Sequence, residues 1–227
     1  TGGAGFIGSH QVDRLISIGP VTVYDRFRSG KIEFIQHHLN NPAFRFIEAD
    51  LLDLNRLTRE IKEHDVVFHL AANPEAREGI EKTDLDLKVG TIATYNILEA
   101  MRQNGISKIV FSSSGTVYGE TLVYPIPETY GPLFPISLYG ASKLAGEALI
   151  SAFCHIFDSS IFSFLREKGY HLSLFCPAIS LDELTDKFLG TISNIEDEAN
   201  TFRDMKILIF FLKYASLTCL LYFCVRR

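Results

Sequence analysis

Thr1-Gly2-Gly3-Ala4-Gly5-Phe6-Ile7-Gly8 opens the chain, and an amphipathic stretch, Phe6–Ile18, follows at once. Its three spaced glycines answer separate demands of a phosphate-binding turn. Gly2 permits a tight bend, Gly5 lets the backbone approach a pyrophosphate, and Gly8 lets a helix pack closely on a sheet. Phe6 and Ile7 then stand in the first helical turn, whose free N–H groups and positive dipole end attract phosphate. A glycine triplet alone is also compatible with a plain turn, so its surroundings have to decide between the two.

Working outward, the apolar run Val21–Tyr24 ends at Asp25, 17 residues after Gly8. A carboxylate at that strand end is placed to accept hydrogen bonds from ribose hydroxyls and to repel a 2′-phosphate, which favours NAD over NADP. Arg26 and Arg28 pull the other way, because a nearby arginine can accommodate the extra phosphate. Asp50-Leu51 follows the next strand, where the carboxylate can accept from an adenine amino group or cap the helix that comes after. Leu70-Ala71-Ala72 ends a further strand, where small side chains let a cofactor lie against the backbone. His69 sits inside an apolar run and reads as a satisfied core histidine.

The alternation continues to about residue 158. Val21–Tyr24, Phe44–Ile47, Val66–Leu70 and Ile109–Ser112 are short, with β-branched and aromatic residues, and read as buried parallel strands. Between them Phe6–Ile18, Lys31–Leu39, Leu54–Lys62 and Thr83–Gln103 read as helices, and a last helix spans Ser137–Phe157. Strands alternating with helices predict an α/β, Rossmann-like, doubly wound parallel sheet. No strand precedes Gly2, so the expectation is a sheet lacking its first strand. Pro125, Pro127, Pro132 and Pro135 mark an irregular loop.

Tyr139-Gly140-Ala141-Ser142-Lys143 puts a tyrosine and a lysine four residues apart on one helix face. Upstream, Phe111-Ser112-Ser113-Ser114-Gly115-Thr116-Val117-Tyr118-Gly119 ends a strand in serines. Such an ammonium can lower a tyrosine pKa from its ordinary value near ~10, making the phenolate a general base. A serine at the strand tip can orient the same substrate hydroxyl. A chance pair on a helix and a polar turn are the bland alternatives.

Taken in order, TGGAGFIG, Asp25, His69-Leu70-Ala71-Ala72, SSSGTVYG and YGASK resemble the extended short-chain dehydrogenases/reductases of the NAD-dependent epimerase/dehydratase family. The resemblance covers residues 1–158 and is closest to UDP-glucose 4-epimerase-like proteins. It implies NAD as cofactor, a nucleotide-sugar substrate and epimerisation by transient oxidation at C4, with a non-catalytic dinucleotide-binding or interaction protein and a sugar-nucleotide dehydrogenase/reductase of the same superfamily as the alternatives. It also implies Ser114, Tyr139 and Lys143 as catalytic residues. Gly2, Gly5, Phe6, Ile7, Gly8, Asp25, Asp50, Leu51, Leu70, Ala71, Ala72 and Ser112, with Tyr139 and Lys143, are then the cofactor contacts. Relatives that eliminate water carry an acidic residue just after the catalytic serine or threonine; Gly115 and Thr116 stand there instead, which argues against dehydration. Gly90 replaces an asparagine found in many relatives. The resemblance implies a homodimer formed through the helices around 85–103 and 138–157.

Residues 159–227 match neither the expected Arg/Asn and Gly-Pro segment nor a sugar-nucleotide domain, so that domain is expected to be absent or atypical. Ile207–Val225 carries one charge, Lys213, and precedes Arg226 and Arg227. It is just long enough to cross a bilayer. Three readings stand: a non-native tail, a buried element of a shortened domain, and a membrane anchor. The net charge of −5 among 227 residues excludes a basic nucleic-acid surface. Four cysteines lie in the last third without metal-ligand spacing, consistent with free thiols in a reducing compartment. No signal peptide is visible, and the expected location is the cytoplasm.

Overall fold

The computed structural model describes residues 1–127 and 130–157. Strand β1 (Val21–Asp25) pairs in parallel with β2 (Phe44–Glu48), Val23 facing Phe46. Strand β3 (Val66–His69) pairs in parallel with β4 (Lys108–Phe111), Val67 facing Ile109. The two pairs are joined by the start of the chain. Thr1 N donates to the Phe68 carbonyl at 2.7 Å and Leu70 N donates to the Thr1 carbonyl at 3.2 Å. On the other side Gly2 N donates to the Tyr24 carbonyl at 3.1 Å. Thr1 and Gly2 thus occupy the position between β1 and β3 that a doubly wound sheet gives to its central strand, and the glycine loop leaves from it.

Side chains alternate across this layer, and each face carries its own core. Val23 and Phe44 pack with Ala4 and Val12 of helix α1 (Phe6–Leu15) and with Ile35. Tyr24 and Ile47 point the other way, joining Val67, Ile109 and Phe111 under three further helices. Those helices are α2 (Leu54–Glu60), α4 (Ala93–Gln103) and α5 (Leu138–Phe157), which contribute Leu57, Ile97, Met101 and Ile150. Helices on both faces of parallel strands are the α/β architecture expected from the alternating pattern.

Three expectations need correction. Residues 31–39 form no α-helix; they make two 3₁₀ turns, Ile32–Phe34 and Gln36–His38. Tertiary contacts override the helical pattern there, because Lys31 N donates to the Ala4 carbonyl and Ile35, at φ −122° and ψ 0°, is driven into the core. Asp50 does not cap α2: Asp53 does, accepting from Arg56 N at 2.9 Å. Finally, the long helix expected from about Thr83 starts at Leu85 and passes through a π-helical turn, Leu87–Ile92, that runs directly into α4. Before it lies a single α turn, α3 (Glu78–Glu81), that the pattern did not reveal.

Cys154 is buried and in no disulfide among the described residues, and His69 is a core histidine at 1 % exposure, bonded to Thr1 Oγ1 and Thr94 Oγ1. Burial, helped by the nearby Lys143 charge, holds the His69 imidazole well below its ordinary pKa. Among the described residues no helix is long and apolar enough to cross a membrane. The other three cysteines and the apolar run 207–225 lie outside the described residues.

Candidate active site

The glycine loop is folded as its spacing demands. Gly2 adopts φ +71°, and a Cβ on it would stand 2.6 Å from Ala71 N and 2.9 Å from the Leu70 carbonyl carbon. The loop therefore lies against the Leu70-Ala71 backbone, bringing together two segments singled out separately in the sequence. Gly5 is the N-cap of α1 and no side chain caps this end. The first-turn N–H groups of Phe6, Ile7 and Gly8 are consequently left for an outside acceptor, the condition for an anion at a helix start. Phe6 is 48 % exposed at this rim.

Asp25 closes the loop from β1. Its Oδ2 accepts from Ala4 N at 3.0 Å and its Oδ1 from Phe27 N at 2.9 Å. An ionised carboxylate offers about four acceptor positions, so each oxygen can still accept one more hydrogen bond. The two arginines that argued for an extra phosphate are engaged elsewhere. Arg26 Nη1 donates to Asp50 Oδ2 at 2.7 Å, and Arg28 is paired with Glu78. Asp50 Oδ1 accepts from Leu52 N at 3.0 Å. Although burial opposes it, these bonds hold the Asp50 carboxyl below the usual carboxylate range. Leu51 is a core residue at 8 % exposure, and its carbonyl accepts from Asn96 Nδ2. Only its N–H is left for a ligand. Ala72 follows Ala71, half-buried at the end of β3.

Past β4 the serines divide their tasks. Ser112 N donates to the His69 carbonyl at 3.2 Å, while the Ser112 carbonyl accepts from Lys143 Nζ at 2.7 Å. Ser113 donates to Glu147 of α5. Ser114 Oγ accepts from Thr116 N at 3.2 Å and caps the 3₁₀ turn Gly115–Tyr118. Its hydroxyl also acts on Tyr139, whose pKa it works to lower. Ser114, Tyr139 and Lys143 therefore converge, from a strand end and one face of α5, although 25 residues separate the serine from the tyrosine.

Lys143 is 3 % exposed, with Nζ 4.9 Å from the Phe111 ring centroid and 5.8 Å from that of Tyr139. Burial pushes its pKa down to about 8, against the pull of Asp86 and Glu147. The expectation that this lysine lowers the Tyr139 pKa is not met. Burial raises it, the Asp86 charge raises it further, and only the Ser114 hydroxyl acts to lower it. The reason is geometric: the ammonium is turned to the Ser112 carbonyl, on the face of the ring.

Asp86 is the site residue that pattern reading missed. It is 1 % exposed, its Oδ1 accepts from Asn73 Nδ2 at 3.1 Å, and its buried Oδ2 has no hydrogen-bond partner. Nothing in its local sequence marks it, since an acidic residue in the first turn of a helix is ordinarily a solvated partner of the helix dipole. The position of Gly90 is also explained. It lies in the π turn, where an added Cβ would come 2.5 Å from Ser142 Oγ and 2.8 Å from Ser142 Cβ. Absence of a side chain at residue 90 is what lets α5 approach with Ser142.

A sequence model of the NAD dependent epimerase/dehydratase family matches residues 1–166. The chain belongs to this family. It is 38 % identical over 162 residues to the UDP-glucose 4-epimerase of Mycolicibacterium smegmatis, covering 70 % of this chain and 51 % of that protein. It is 41 % identical over 161 residues to a putative UDP-glucose 4-epimerase of Methanocaldococcus jannaschii, covering 69 % and 50 %. Among solved structures it resembles the Thermus thermophilus UDP-glucose 4-epimerase in complex with NAD, with a TM-score of 0.61 and 37 % identity over 68 % of this chain and 49 % of that one. This family member thus spans about half the length of the curated relatives it matches.

Proposed function

We propose that this family member binds NAD and carries the catalytic half of a nucleotide-sugar 4-epimerase. The observation that carries the reading is the convergence of Ser114, Tyr139 and Lys143 beside the strand end that faces the glycine loop. The relatives named UDP-glucose 4-epimerase support the reaction class, and UDP-glucose and UDP-galactose are the proposed substrate pair.

The residues present fit the dinucleotide. Gly2 seats the loop on the Leu70-Ala71 backbone, where a Cβ would not fit, and the uncapped start of α1 that follows suits a pyrophosphate. Asp25 keeps acceptor capacity for the ribose diol. Arg26 and Arg28 are held by Asp50 and Glu78, so neither is free to meet a 2′-phosphate, which favours NAD over NADP. Asp50 already has a partner on each oxygen; its remaining acceptor sites serve the adenine amino group. Bound NAD supplies a reversible acceptor for the hydride on sugar C4.

The chain's own residues handle the proton. Tyr139, once ionised, takes it from the C4 hydroxyl and returns it to the C4 oxygen after the ketose has turned its other face. Ser114, beside Tyr139 at the strand end, holds the hydroxyl in line. Lys143 Nζ, fixed on the Ser112 carbonyl, keeps one or two N–H donors for the nicotinamide ribose. No carboxylate stands at Gly115 or Thr116 to assist loss of water, which favours epimerisation over dehydration. Self-association through α4 and α5 belongs to the same reading: Ile92, Tyr95 and Phe157 are 40 %, 43 % and 49 % exposed.

A second reading, a dinucleotide-binding protein without turnover, draws on Tyr139, whose hydroxyl is held above its ordinary pKa by burial and by the Asp86 charge. One pair of measurements separates them. NAD binding with UDP-glucose/UDP-galactose interconversion supports the first reading, and binding without interconversion supports the second. Tyr139→Phe should abolish interconversion and leave NAD affinity within about twofold, because only proton transfer is removed. A folded sample that binds no NAD would sink both.

A further inference from the structure

On the flank of α1 two imidazoles from a different element meet one carboxylate. His37 Nε2 and His38 Nε2 lie 2.8 Å and 2.7 Å from the same oxygen, Asp13 Oδ1. His10, one turn earlier on α1, stands with Nδ1 4.0 Å from the other oxygen. The three ligand atoms of Asp13, His37 and His38 all fall within 4.8 Å of one another.

Such convergence is not what solvated side chains on a surface generally adopt. His37 and His38 are consecutive, yet the 3₁₀ turn that holds them sends both rings to one side, with centroids 4.0 Å apart. His38 is only 12 % exposed and packs against Phe44 at 5.5 Å. Ile35, at the head of that turn, is fully buried, so the backbone carrying the histidines is anchored. Two neutral imidazoles and one carboxylate are the donor set of a zinc-class ion, with a fourth place left for water. At metal–ligand distances of about 2.0–2.2 Å, tetrahedral donors stand roughly 3.3 Å apart. The present separations need to open by about half an ångström, within reach of exposed side chains.

We infer that Asp13, His37 and His38 form a binding site for a divalent transition-metal ion of the zinc class, clasping α1 to the 32–38 turns. The ion is structural. Asp13 lies eight residues beyond the N-cap of α1, roughly 12 Å along the axis at about 1.5 Å per residue, well away from the cofactor cradle.

The test uses the complete 227-residue chain, stripped with chelator and titrated with zinc and, for its visible absorption, cobalt(II). One equivalent should bind and raise the unfolding temperature, while magnesium should do neither. His37→Gln and His38→Gln should each weaken zinc binding at least tenfold, and His64→Gln, on a different surface, should leave it unchanged. If a variant fails to fold, acylation of histidines in the unsubstituted chain decides, read by peptide mass spectrometry: zinc must protect His37 and His38. Zinc binding that survives both substitutions, protection of other histidines only, or no binding at 1 mM zinc (about the weakest useful affinity) overturns the inference.

Discussion

Replacing Gly8 with alanine tests the link between helix packing and the cofactor cradle. A Cβ at residue 8 would lie 2.7 Å from Gly3 Cα and 2.9 Å from the Gly2 carbonyl carbon, and closer still to the Gly2 oxygen. Ordinary contact starts at 3.4 Å, and the Gly2 oxygen, the nearest of the three, requires the loop or the helix to move by more than about 1 Å. All three atoms are backbone, and none can swing aside as a side-chain tip would. The Gly2 oxygen is also held, accepting from Gly5 N at 3.1 Å. Alanine gains up to about 1 kcal/mol in helix propensity, but overpacking of this kind costs about 1–3 kcal/mol. The net loss of stability is then about 0–2 kcal/mol, modest for the fold. The larger effect falls on binding, because a shift of that size moves the Gly5 and Phe6 backbone out of register with a pyrophosphate. NAD affinity is expected to fall at least tenfold, or about 1.4 kcal/mol. Calorimetric NAD titration with a parallel thermal unfolding curve reads both effects. Gly19→Ala, with nothing within 4 Å of its Cβ, is the control. Unchanged affinity and unfolding temperature in Gly8→Ala would refute the cradle argument.

Other perturbations probe the rest of the site. Asp86→Asn removes a charge that raises the Tyr139 pKa, so the phenolate should form at lower pH; the acidic limb of the interconversion profile must move down, and a shift upward would contradict the placement. Lys143, lowered to about 8 from an unfolded value near ~10.5, binds fewer protons folded than unfolded between those values. Its contribution to stability therefore rises with pH from about 8 to 10.5. In urea unfolding Lys143→Met should lack that rise, and an identical pH dependence in both proteins would count against a buried lysine. Gly90→Ala should push α5 away through Ser142 and destabilise by about 1–3 kcal/mol; Ser142→Gly in the same chain should recover most of the loss.

Much of the architecture was legible because it rests on local rules. Short β-branched runs marked all four strands to within a residue or two, and the 3.6-residue period marked α1, α2, α4 and α5. The 31–39 segment misled for a physical reason: its apolar spacing suits a helix, but Ile35 is drawn into the core and Lys31 bonds to Ala4, which splits it into 3₁₀ turns. The π turn at Leu87–Ile92 likewise reflects packing of α5 on Gly90, a contact that no local pattern encodes. Asp53 rather than Asp50 caps α2 because a cap is decided by where the first free N–H groups fall, a matter of one turn.

By itself, the sequence determined the α/β class, the glycine loop and the three residues that converge on the site, since spacing and residue type constrain these directly. Only the tertiary structure decided what those groups experience. It turned the Lys143 ammonium to the Ser112 carbonyl, put the half-satisfied Asp86 carboxylate within electrostatic reach of Lys143 and Tyr139, and tied Arg26 and Arg28 to acids far along the chain. Protonation and pairing depend on burial and on charges brought close by folding, and neither quantity is a property of local order along the chain.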